Sequence, residues 1–266
     1  MTNILDRSHL RTEDGLPYFQ IPDLARLGWL RHAFLTRRGG VSLPPYDSLN
    51  ISFANGDREE HVFHNRSRIA STFGFHPDDL ILLNQVHQDR ILVLRDPFRP
   101  LPPRLEYDAL VTNVSNTFLG IRTADCLPIL VVDPKRKVIA AVHSGRQGTS
   151  LHIATKVLEV MHKEFGCSAH DLLVALGPGI GSCCYEIDEK VFVSEWKPFS
   201  TPKGSGKWDV DLAQMNIHLM KKQRIPGEQI FRINLCTHCH PDLFFSYRRE
   251  GKTGRQLSFI GMAESK

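Results

Sequence analysis

The chain has 266 residues, 41% hydrophobic and 23% charged, the composition of an ordinary globular protein with enough apolar content for a large core. A formal net charge of +4 is too mild for a nucleic-acid binder and fits a small anionic ligand such as phosphate. No window approaches the ~18 apolar residues of a membrane span, and the start MTNILDRSHLRTEDGLPYF lacks an apolar signal region; a cytoplasmic protein whose six cysteines are thiols is expected.

Along the chain, ILLNQVHQDRILVL (81–94) reads as strand, turn or bulge, strand. RDPFRPLPPRLEYD (95–108) reads as an ordered Pro-rich loop. DALVT (108–112), NTFLGIRTADCLPILVVD (116–133) and KVIAAVHSG (137–145) are strand-like, with TADCLP interrupting the second. Apolar residues at 151, 154, 157, 158 and 161 predict an amphipathic helix over 149–166, closed by Gly166. DLLVALGPGIG (171–181) is a strand running into a glycine-rich turn, and KPFSTPKGSGKW (197–208) a mobile surface loop. A helix over 211–227, with Asp211 near its start and Pro226-Gly227 after its end, precedes a strand over 229–235 and a closing hairpin over 244–262. No repeat or linker divides the sequence, so one domain of mixed α and β class is expected over 1–266.

Three potentially reactive side chains end or interrupt apolar strands: His87 in NQVHQ, Cys126 in TADCLP and His143 in AVHSG. Strand ends present side chains to clefts, and two histidines with one cysteine make a three-ligand zinc set that leaves the fourth position open. The same residues could form a Cys–His pair that holds Cys126 as thiolate, or Cys126 could pack as an inert buried thiol. Their spacing matches no local metal motif.

CTHCH (236–240) fits the C-x-x-C-H pattern of haem attachment, but no export signal accompanies it. It also resembles the His-Cys-His element of multicopper oxidases, which need several H-x-H pairs; His238/His240 is the only one here. A structural or peripheral role is assigned to it. LGPGIGSCCYE (176–186) lacks the features of a P-loop and reads as a tight turn. Arg37 and Arg38 in TRRGGVS, Arg146 in HSGRQG, and Arg248 and Arg249 in SYRREG are candidates for holding phosphate, by guanidinium forks and a helix N-terminus.

Taken in order, FLTRRGGVS, NQVH, YDALVT, TADCLPILVVD, AVHSG, LGPGIGSCCYE and FFSYRREGKTGR resemble the YfiH-like family from about Phe34 to Met262. That family was long labelled multicopper polyphenol oxidase or laccase-like and is now described as purine nucleoside phosphorylases. The resemblance implies an α+β layered sandwich with central mixed β-sheets and helices on the outside. It implies zinc bound by His87, Cys126 and His143, with Cu2+ as the alternative metal. It also implies phosphorolysis of adenosine, inosine and methylthioadenosine, together with adenosine deamination. In that scheme water activated at the zinc attacks C6 of adenine in deamination, and phosphate held by the arginines attacks C1′ in phosphorolysis. Asp125 is a candidate proton carrier or an anchor for its neighbour. Purine nucleoside and phosphate are the expected partners, with no nucleic acid or membrane. One departure stands out: the family writes His-Ala-Gly-Trp-Arg-Gly where this chain has His143-Ser-Gly-Arg146-Gln147-Gly148. A copper-dependent phenol oxidase and a nucleoside-binding protein without turnover are the competing readings.

Overall fold

Long Val/Ile/Leu-rich runs separated by turn residues build two large mixed sheets. The computed structural model describes residues 1–96 and 105–263, so most of the Pro-rich stretch expected over 95–108 lies outside the described residues. One sheet has seven strands, in the order Asn3–Leu5, Ile230–Ile233, Leu173–Leu176, Leu127–Asp133, Val138–Ser144, Ala109–Thr112 and Ile91–Leu94. The other has six: Leu10–Glu13, Leu16–Phe19, Leu30–Leu35, Gln256–Met262, Thr117–Thr123 and Leu80–Leu82. Between Leu127–Asp133 and Val138–Ser144 runs an unbroken antiparallel register, from Asp133↔Val138 to Leu127↔Ser144. Every residue of both strands is buried. Continuous apolar runs of this kind belong to strands covered on both faces.

Because successive side chains point to opposite faces, each sheet serves two layers. Leu130, Val132 and Ile139 face Phe34, Leu119, Ile121 and Ile260 of the six-stranded sheet in a shared core. Ile129, Val131 and Val142 face the other way, onto Val157 and Met161 of the helix Ile153–Phe165 and Ile217 and Met220 of the helix Leu212–Lys222. Beyond the six-stranded sheet, Leu35 and Phe259 pack on Ile69 and Phe73 of the helix Glu59–Phe73. The result is an α+β sandwich, helix–sheet–sheet–helix, as expected. No helix among the described residues is long and apolar enough to cross a membrane.

The helix ends follow their sequence signals. The Asp211 side chain accepts the Gln214 N–H at 2.9 Å, and Gly166, at φ 67°, closes the helix Ile153–Phe165. That helix starts later than the periodicity suggests: a short helix Arg146–Ser150 precedes it, and His152 at φ 58° breaks the two apart.

Three expectations are corrected. The stretch 116–133 is two strands in different sheets, Thr117–Thr123 and Leu127–Asp133, and not one interrupted strand. The closing segment contributes only the strand Gln256–Met262. Phe244 and Phe245 are spent on the core, and the Ser246 hydroxyl accepts the Arg249 N–H to start a short helix Tyr247–Glu250. The loop over 197–208 is instead mostly a hairpin of Ser200–Gly204 with Lys207–Val210, pinned by Trp208 stacked on Phe192 at 4.2 Å.

The chain crosses from the six-stranded to the seven-stranded sheet twice, between Leu82 and Ile91 and between Thr123 and Leu127. Both crossings open on one cleft.

Candidate active site

Cys126 ends the shorter crossing. Its predecessor Asp125 has φ 97°, a left-handed conformation that non-glycine residues adopt only when held. Here the holding is explicit. One carboxylate oxygen of Asp125 accepts the Thr237 hydroxyl at 2.6 Å, the other the Arg248 N–H at 2.7 Å, and the Asp125 carbonyl accepts the Ile180 N–H at 2.8 Å. Both oxygens are thus engaged in fixing the turn.

His87 sits in the longer crossing, also in a left-handed conformation, at φ 61°. Asp108, fully buried at the head of the strand Ala109–Thr112, organises this segment. Its carboxylate accepts the backbone N–H groups of Val86, His87 and Gln88 at 3.2, 3.0 and 2.8 Å. The same group accepts from Nδ1 of His143 at 2.7 Å, while the Asp108 carbonyl accepts the His143 N–H. A carboxylate only accepts, so Nδ1 of His143 carries the proton and Nε2 is left as a ligand atom. Sequence reading missed Asp108; its only signal is an acidic residue opening a fully buried strand.

The ligand atoms of His87, Cys126 and His143 lie within 4.8 Å of one another, and the two imidazole rings meet edge to face at 4.8 Å. Burial opposes ionisation of the Cys126 thiol, but the imidazoles of His143 and His87 outweigh it and bring the thiol down to about 6. Burial likewise opposes the charge on His143, yet the Cys126 thiolate and Asp108 hold it up at about 9. Gly145 completes the cradle: a Cβ there would stand 2.8 Å from the Cys126 sulfur. One soft thiolate and two imidazoles, oriented from behind and open towards a cleft, fit a zinc-type ion with a free coordination position.

The cleft has a volume of about 410 Å³, within the range of small-molecule pockets. Arg122, Arg255 and Arg248 line it, with the rings of Tyr185 and Tyr247. Arg122 donates to the Leu83 carbonyl at 2.6 Å, and Arg255 to the carbonyls of Thr253 and Gly254. Neither guanidinium is ion-paired with a carboxylate among the described residues. Burial, with the charge of the neighbouring Arg255, lowers the pKa of Arg122, as expected of two cations facing one space.

Of the arginines expected at the site, only Arg248 lines this cleft. Arg37 is buried over the Phe245 ring and bonded to Glu250 at 2.7 Å and to the Asp47 carbonyl at 2.7 Å. Arg38 reaches Asp242 in a separate depression. Arg249 is consumed by the carbonyls of Thr237, His238 and Phe244 and by Glu250. Arg146 lies in an adjoining groove with Tyr185 and Arg248, and Gln147 is exposed. The sequence signal for Arg122 was an arginine inside an apolar strand; Arg255 had none beyond its glycine-rich neighbours.

Comparison with known proteins gives the same frame. The family described as multi-copper polyphenol oxidoreductase laccase matches residues 31–263. The chain belongs to this family. Among its relatives is a Bacillus subtilis protein named purine nucleoside phosphorylase YlmD, 32% identical over 246 residues, covering 87% of this chain and 88% of that one. A Deinococcus radiodurans protein named purine nucleoside phosphorylase is 36% identical over 260 residues, covering 94% and 95%. The crystal structure of the Bacillus licheniformis hypothetical protein YfiH superposes with a TM-score of 0.87 at 32% identity, covering 95% of this chain and 98% of that chain. In this member of the laccase family the His87–Cys126–His143 group and its cleft lie wholly within the matched span.

Proposed function

We propose that the protein is a zinc-dependent purine nucleoside phosphorylase acting on adenosine, inosine and methylthioadenosine, and that the same cleft deaminates adenosine. The observation that carries this reading is the juxtaposition of a three-donor metal group with two half-buried arginines that have no carboxylate partner among the described residues, in one cleft. The names of the relatives support the nucleoside and phosphate as substrates.

Zinc held by His87, Cys126 and His143 would supply a Lewis acid at the cleft floor. Arg122 and Arg255 bind phosphate and keep it beside C1′ of the nucleoside; this is the role first expected of Arg37, Arg38, Arg146, Arg248 and Arg249. A phosphate oxygen forms the new bond to C1′ as the glycosidic bond breaks, and the base leaves with that electron pair and takes up a proton. The guanidiniums stabilise the charge that moves between phosphate and sugar. Tyr185 and Tyr247 offer ring faces to the purine. Asp108 keeps His143 oriented, and Asp125 keeps the Cys126 turn in place. Arg146, beside Tyr185, stands where the resembling family carries Trp and contributes charge at the cleft edge.

The test is incubation of the protein with adenosine and phosphate, followed by chromatography and metal analysis. Adenine with ribose 1-phosphate, inosine from deamination, and bound zinc are expected; Cys126→Ala abolishes turnover. Arg122→Ala raises KM for phosphate roughly 10- to 100-fold, the value of one or two charge-assisted hydrogen bonds, while Arg38→Ala leaves it unchanged. An unchanged phosphate KM in Arg122→Ala overturns the phosphate assignment. Bound copper with oxygen uptake on a phenol would favour an oxidase instead.

A further inference from the structure

Outside the cleft, four of the six cysteines converge at one place. The strands Leu173–Leu176 and Ile230–Ile233 are parallel neighbours in register, Val174 opposite Ile230 and Leu176 opposite Arg232. They leave the sheet at the same edge, so the loops that follow them run together and form a bridge between Gly179 and Cys236. Loops at the carboxyl ends of parallel strands are a common place for ligand sites. The first loop supplies Cys183 and Cys184, the second Cys236 and Cys239, and all four sulfurs lie within 4.8 Å of one another. The Cys239 sulfur is 3.6 Å from that of Cys183 and 3.3 Å from that of Cys184.

We infer that Cys183, Cys184, Cys236 and Cys239 form a second metal site, a closed tetrathiolate for one zinc ion that staples these two loops together. A tetrahedron with Zn–S bonds of about 2.3 Å has sulfur–sulfur edges of roughly 3.8 Å, which the observed separations approach. Four ligands and no open position mark a structural site, in contrast to the three-donor group in the cleft. The Cys236 sulfur also accepts the Gly181 N–H at 3.2 Å. Backbone donors of this kind disperse the charge of a thiolate. Packing does not account for the cluster: Cys183 and Cys239 are exposed, whereas free cysteine is usually among the most buried residue types.

The staple has a place in the architecture. Thr237, between two of its ligands, donates its hydroxyl to Asp125 beside Cys126, and Tyr185, next to Cys184, lines the cleft. The inference does not depend on which reaction the cleft performs.

The test uses the full-length protein purified under reducing conditions without chelator. Metal analysis is expected to give two zinc ions per chain, and one in a Cys236→Ser/Cys239→Ser protein and in a His87→Ala/Cys126→Ser protein. Cobalt loaded into the latter should give the intense thiolate-to-cobalt charge-transfer absorption of a four-sulfur tetrahedral site. Should the variants fail to fold, the unmodified protein still decides: alkylation mapped by mass spectrometry should spare Cys183, Cys184, Cys236 and Cys239 until zinc is removed. Equal alkylation of the four with and without zinc overturns the inference. So does iron as the bound metal.

Discussion

Asp108 takes donors from the backbone on one side and from an imidazole on the other, so a single carboxylate sets both the crossing that bears His87 and the ring of His143. Replacing it with asparagine leaves one oxygen where two are needed and turns an amide towards donors. Chelator competition should show metal held in the cleft 10- to 100-fold more weakly in Asp108→Asn. Urea unfolding should show a loss of about 3 kcal/mol, as expected when one partner of a buried ionic network is removed. His87, Cys126 and His143 were legible because each breaks an apolar run. Asp108 was not, since nothing in its local sequence tells a strand-opening acid from one that reaches a histidine 35 positions away. Of the arginines expected to hold phosphate, Arg37 and Arg249 lie outside the cleft for a related reason. Arg37, just after a strand, and Arg249, in a short helix, stand in sequence that looks solvated, and only the fold reveals that Glu250 and several carbonyls occupy them.

At the scale of the element, the strand Leu30–Leu35 carries a titratable group into the interior. His32 is fully buried, its Nε2 accepting the Ile21 N–H at 2.9 Å while its Nδ1 has no hydrogen-bond partner among the described residues. Burial drives its pKa down to about 3, with a smaller push from Arg11. The unfolded chain keeps a histidine near 6.5, so it binds a proton that the folded protein refuses between those values. The stabilising contribution is therefore complete above pH 6.5 and is lost as pH falls towards 3. Between pH 7 and pH 5 the folded state should lose about 2 kcal/mol from this group alone. Urea unfolding at both pH values, compared with His32→Gln, should show a correspondingly smaller loss in the variant. Caps and periodicity made the helices readable, as Asp211 and Gly166 illustrate. The hairpin misplaced over 244–262 fails on burial: apolar Phe244 and Phe245 look like strand residues, but the core claims them outside any ladder.

For the whole molecule, the decisive contact is between the sheets. Gly177, just beyond the strand Leu173–Leu176, faces the Phe34 ring of the opposite sheet, and a Cβ there would meet the ring at 2.3 Å and Pro128 at 2.8 Å. Gly177→Ala must separate the layers locally, an overpacking that costs about 1–3 kcal/mol. A thermal melt should fall by several degrees, whereas Gly28→Ala, with nothing within 4 Å of the added carbon, should melt as the parent does. Strand content and the layered class were legible from the apolar runs and the family resemblance. Sheet membership was not, because the three-residue break at Ala124–Cys126 looks like a flaw in one strand while it carries the chain from one layer to the other.

That double crossing has a consequence for how the protein matures. Two of the three cleft donors are carried by segments that bridge the layers, so a nascent chain with only one sheet assembled has no complete set to offer. Were an ion held by these donors, only a molecule whose two layers have met could hold it.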